Sequence, residues 1–265
     1  MKRLATFFVV VTCALAATAA IALGDTLVGT SGDDTLEGTA KPDQLYGEDG
    51  NDKLTGLGQN DYLEGGPGND DIDTGADNDL AIGGTGDDKI TTGAGTDVAY
   101  AGAGADEVLG ESGTDVLLGQ AGNDRIFGGA GDDSLYTGIG TDYADGGLGR
   151  DLVAADSEPG ETSTLNGGAD DDKIVGSGAG QFVVDGGSGD DRILTGPGID
   201  RITGSGGRDR ISSGAGDDEI DVVDGRRDLA RCGPGKDSVR ADKRDRLIRC
   251  EVVTRAAPPR RAGRQ

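Results

Sequence analysis

The sequence predicts an all-β chain: a parallel β-roll, or two-sided β-solenoid, of nine-residue repeats with a disulfide-clamped C-terminal cap. Three observations predict it. Glycine recurs in phase with a nine-residue period, aspartate holds one fixed place in that period, and an aliphatic residue follows two places later. Without the period, the composition would point elsewhere. Among 265 residues, 51 are Gly, aromatics are 3%, His and Trp are absent and the net charge is −24, a profile usual for disorder. A collagen-like chain would need Gly at every third position, which is not found.

The N-terminal segment, residues 1–22, reads as an export signal. Lys2 and Arg3 precede an apolar stretch from Leu4 to about Leu23, and Ala20 and Ala22 form a cleavage-like end. The protein is therefore expected to be secreted, with cleavage near residue 22 and no membrane span afterwards. The roll is expected over 23–154. From Gly29 to Ala154 the chain divides without a gap into fourteen units of nine, such as GGPGNDDID (65–73), GGTGDDKIT (83–91), GQAGNDRIF (119–127) and GGAGDDSLY (128–136). The sixth place is Asp in all fourteen, and the eighth is aliphatic in all fourteen, from Leu36 to Val153. Glycines at the first places allow a tight turn. The seventh to ninth places make a short strand whose middle side chain points inward. Two units then close one coil, and stacked coils repeat about 4.8 Å apart. The result is two rows of turns, one on each edge of a thin aliphatic core.

Residues 155–166 (ADSEPGETSTLN) break the register and are expected to loop out, after which the roll continues over 167–221. In GSGAGQFVVD (176–185), ten residues long, Gln181 takes the place of the aspartate and metal binding should be poor. The cap is placed at 222–255. Cys232 and Cys250 stand one coil apart, so stacking would leave their Cα atoms about 5 Å apart, within disulfide range. The last stretch, 256–265, reads as a disordered basic tail.

The repeats resemble the RTX, or hemolysin-type, calcium-binding nonapeptide family from about residue 24 to 221. The end of the chain is similar to that of actinobacterial secreted proteins of this class. The resemblance implies Ca²⁺ ions held between turns of adjacent coils by backbone carbonyls and the sixth-place Asp of both. Asp88 and Asp106 would share one ion, Asp97 and Asp115 another. The implied ligands are Asp34, Asp52, Asp70, Asp88, Asp97, Asp106, Asp115, Asp124, Asp133, Asp142, Asp151, Asp172, Asp191, Asp200, Asp209 and Asp218. Oxygen donors suit a hard cation, and a chain without His is a poor host for zinc or copper. In the early array one edge carries Lys41, Gln59 and Asp77 at the fourth place, where the other has Gly32, Gly50, Gly68 and Gly86. Calcium is therefore expected on one edge only before about residue 83. The alternative is that the weak turns bind through Asp43, Asp61 and Asp79.

Charge separates two regions. Residues 1–225 carry 12 basic and 44 acidic side chains, residues 226–265 carry 13 and 5. The acidic body repels itself until cations bind, so folding on Ca²⁺ after export is expected. The basic C-terminal region either offsets that charge or binds an anionic cell-wall or surface polymer. No nucleic-acid partner is expected. An enzyme is not expected either: there is no His, and G-x-S-x-G, HExxH and P-loop motifs are missing. The rival reading is a cell-surface adhesion or ice-binding module presenting a flat, calcium-rigidified face. It would need a regular ladder of exposed Thr or aromatics, and Thr96, Thr114 and Thr141 recur only in patches.

Overall fold

The computed structural model describes residues 24–256. The predicted export signal at 1–22, and all but the first residue of the predicted tail, lie outside them. The described chain has only strands and turns. It winds into two parallel sheets, one of 13 strands and one of 15, and successive strands fall alternately in the two except for the two-residue strands Ala94–Gly95 and Ser112–Gly113, which add to the larger sheet. Along the core row each strand pairs with the strand one coil on, Leu27 with Leu45, Leu45 with Leu63, Leu36 with Leu54 and Leu54 with Ile72. The register shifts between Tyr136 and Ile139, where Ser134–Ile139 meets Leu152–Ser157. The eighth-place side chains meet between the sheets. Leu45, Leu54, Leu63, Ile72, Ile90 and Leu117 are all fully buried. In most strands one aliphatic residue makes the core, which is why a nine-residue unit suffices.

Two stretches depart from expectation. Residues 155–166 do not loop out. Strands Leu152–Ser157 and Thr162–Ala169 absorb most of them, and only 158–161 form an exposed turn. Alternating apolar and small residues in ADS and TSTLN fit the pleat, with Ser157, Ser163 and Leu165 buried, so the segment makes an enlarged turn of the coil. Residues 176–185 also hold a full turn, but their sixth place is not Gln181. Val183 pairs with Arg201 and Val184 with Ile202, which puts Phe182 in that place, 1% exposed. The extra residue is accommodated ahead of the strand, and the apolar ring is buried in preference to the amide.

Beyond 221 the roll continues. Strands Leu229–Arg231 and Arg246–Ile248 extend one sheet, Ser238–Ala241 and Val252–Arg255 the other. Cys232 and Cys250 are joined, with Cα atoms 5.2 Å apart, so the bridge clamps the final coil. No helix among the described residues is long and apolar enough to cross a membrane.

Candidate functional site

The sixth-place aspartates from Asp43 on are buried at the turn edges, and nearly all are tied to the next coil in the same way. On one edge the backbone N–H of Asp43 donates to Oδ1 of Asp61 (2.8 Å), Asp61 to Asp79 (2.7 Å) and Asp79 to Asp97 (2.7 Å). The ladder runs on through Asp115, Asp133, Asp151, Asp172, Asp191, Asp209 and Asp228 to Asp245 without a break. On the other edge it runs from Asp34 through Asp52, Asp70, Asp88, Asp106 and Asp124 to Asp142. There the next acceptor is the hydroxyl of Ser163, 3.1 Å from the Asp142 nitrogen, followed by Phe182. Carboxylates resume at Asp200, Asp218 and Asp237 and end at Glu251. This edge alone is interrupted.

One oxygen of each carboxylate is thereby used, while the other is left over. In nineteen sixth-place aspartates, Oδ2 is buried without a hydrogen-bond partner. An unpaired buried carboxylate oxygen is costly and rare in isolation, and here it repeats with the coil. The first-place glycine makes room for it: a Cβ on Gly65 would lie 2.1 Å from Oδ2 of Asp70. Stacked turns also press together, since a Cβ on Gly68 would fall 1.5 Å from the carbonyl oxygen of Gly50. Burial pushes the Asp61, Asp70, Asp97, Asp151, Asp191 and Asp228 carboxyls up to about 6, against the pull of the donated backbone N–H. Asp79, Asp88, Asp115, Asp124, Asp172 and Asp209 rise to about 7 for the same reason. A cation beside them would restore the charged form.

Among the described residues no three acidic, Cys or His side chains converge on one point. A cation here would take its remaining ligands from backbone carbonyls, which the packed turns supply. Carboxylate and carbonyl oxygens are the donor set of a hard ion such as Ca²⁺, so the residues present fit that ion.

Of the sixteen expected ligands, fifteen stand in the two rows with the free Oδ2. Asp34 differs, because its Oδ2 accepts from the Thr30 N–H (2.5 Å) and hydroxyl (2.9 Å). Asp43 is held the same way by Thr39. Asp61 and Asp79, on the edge expected to be weak, have the free Oδ2 of their neighbours. What separates the edges is backbone. Gln59 and Asp77 adopt φ of 71° and 78°, whereas Gly50, Gly68 and Gly86 sit at 134°, 145° and 125°, where a Cβ is not tolerated. The peptides beside the fourth place are therefore turned differently. Asp170 repeats the exception at φ 78° inside 167–175. Asp228 and Asp237 have the same free Oδ2, and the contiguous nine-residue frame does not reach them. Asp237 was visible in the CGPGKDSVR frame. Asp228 was hidden by a ten-residue unit, VVDGRRDLAR (222–231).

A coiled array whose turns repeat one buried carboxylate in register is a cation-accepting repeat solenoid. The RTX calcium-binding nonapeptide repeat model matches residues 28–63, 46–81, 82–117, 118–153, 162–179 and 185–220. These spans cover well over half of the chain and skip the irregular stretches near 155–161 and 180–184. The chain belongs to the RTX calcium-binding nonapeptide repeat family, whose repeats bind Ca²⁺ at multiple sites. No curated protein matches it.

Proposed function

We propose that this is a secreted, non-enzymatic calcium-binding β-roll that folds on Ca²⁺ binding after export and serves a structural or interaction role. The carrying observation is the recurrent buried Oδ2 that no protein group satisfies. In this reading each ion sits between adjacent turns of one edge and takes the free carboxylate oxygens there. Asp88 and Asp106 would share one ion, Asp97 and Asp115 another, and the rows continue through Asp228 and Asp237. Asp34 and Asp43 contribute less, since Thr30 and Thr39 already occupy their oxygens. Metal-free, the chain has a net charge of −24 and a one-residue-wide core against its ordering entropy. Binding energy delivered only in the folded state then becomes folding energy. Extracellular calcium modules bind with Kd of about 10⁻⁴–10⁻³ M. Export is supported by the N-terminal pattern and by the disulfide, which suits an oxidising compartment.

The test is far-UV circular dichroism during a calcium titration, with magnesium as control. A cooperative coil-to-β transition specific to Ca²⁺ is expected. A calcium-independent β spectrum, or persistent disorder at millimolar calcium, would overturn the reading.

A further inference from the structure

The two outer faces of the roll are chemically unlike. The 15-stranded sheet carries charged side chains that pair between coils, Lys53 with Asp71, Arg201 with Glu219 and Arg240 with Asp221. In the 13-stranded sheet, four consecutive strands carry no charged residue at all: Leu80–Thr85, Val98–Ala103, Val116–Ala121 and Ser134–Ile139. In a chain that is 28% charged, such a block is not incidental. Register stacks Leu80, Val98 and Val116 in one outward row, and Ile82, Tyr100, Leu118 and Tyr136 in the next. These side chains alternate with the buried eighth-place residues, so they point away from the core.

We propose that this face pairs with the same face of a second copy of the chain, about a two-fold axis running along the Val116–Ala121 strand. Charge at the margins sets the register. Three strands before that centre lies Tyr62–Pro67, with outward Glu64; three strands after it lies Lys173–Gly178, with outward Lys173. The two-fold lays each of these strands over the other, with Glu64 over Val175 and Lys173 over Tyr62. The acid and the base therefore meet diagonally at both ends of the interface, about 7 Å apart along the strand and within reach of the lysine side chain. One rung further out, Tyr46 approaches the rung of Arg192, a cation–aromatic pairing. Exposed Asp156, on the second strand after the centre, lies over Thr85 in this register. An axis shifted by half a strand spacing instead sets Glu64 over the Leu152–Ser157 strand that carries Asp156 or, in the other direction, leaves Lys173 over the uncharged Leu80–Thr85 strand. Seven strands of about 20 Å span about 29 Å, which buries roughly 1,200 Å² over both partners, the lower bound for a specific stable interface. The contact is isologous, as a closed dimer requires.

The pairing rests on the calcium-folded roll, so circular dichroism on the same samples keeps a failure to fold distinct from a failure to pair. Sedimentation equilibrium of the full chain in excess calcium should give twice the chain mass at micromolar concentration. Leu118→Lys, on the axis, should weaken the dimer by about tenfold or more with the calcium-induced β spectrum unchanged. Glu64→Lys and Lys173→Glu should each weaken it, and the double exchange should restore it. A β-folded monomer, or a dimer indifferent to Leu118→Lys, would overturn the proposal.

Discussion

At the scale of the residue, the working part of the repeat is a single carboxylate with divided duties. Asp106 uses Oδ1 to accept the Asp88 N–H at 2.8 Å and leaves Oδ2 free. Asp106→Asn keeps the first acceptor and replaces the second with an amide. Calorimetric titration should therefore show fewer bound ions, with affinity down by about tenfold at the sites it borders, since a buried unpaired partner costs 1–3 kcal/mol. Asp34→Asn should leave the number of ions unchanged, because Thr30 already occupies that oxygen. Phe182 is the opposite case, an apolar ring in a carboxylate place and 1% exposed. Phe182→Ala should cost about 3–5 kcal/mol of the calcium-loaded stability in denaturant unfolding.

At the scale of the element, the turn edges respond to protons as well as to metal. Twelve of the row carboxyls sit at about 6 to about 7 in the fold, against about 3.9 when unfolded. A raised acid favours the fold while protonated. That contribution is complete below about pH 4 and is lost as pH rises through about 6–7. With a chelator present, β content should therefore be greater at pH 5 than at pH 8. Calcium affinity should climb over the same interval, because the ion and the proton compete for one oxygen. The last coil depends on a different constraint: reduction of Cys232–Cys250 should raise hydrogen exchange in 229–255 and leave 98–145 unchanged, since coils contact only their neighbours.

At the scale of the whole molecule, the regular array is legible in the sequence itself, because a period of nine with Asp in the sixth place fixes strand, turn and edge together. The irregular units are not. GSGAGQFVVD has one residue too many, and the sequence does not say where the surplus goes. Only burial of the Phe182 ring decides that Gln181 yields the place. Pro159 and Gly160 make ADSEPGETSTLN look like a loop, yet the serines on either side continue the pleat. For Asp61 and Asp79 the sequence leaves two readings open, because the residue at the fourth place governs the backbone, while the carboxylate two places on keeps its position.

The interrupted edge has a consequence for how the array assembles. Where Ser163 replaces a carboxylate, its hydroxyl lies 2.8 Å from that of Ser157 and 3.2 Å from the Gly140 carbonyl, so the pocket is filled by hydroxyls. The strands beside it, Thr162–Ala169 and Gln181–Ser188, are the longest in the roll. This stretch leaves only Asp172, on the other edge, in need of an ion, and is therefore expected to order first and to seed the solenoid in both directions. At calcium concentrations too low to saturate the chain, hydrogen exchange should slow first in 162–188 and only later toward 44–100 and 200–222. Protection spreading from either end instead would show that the seed lies elsewhere.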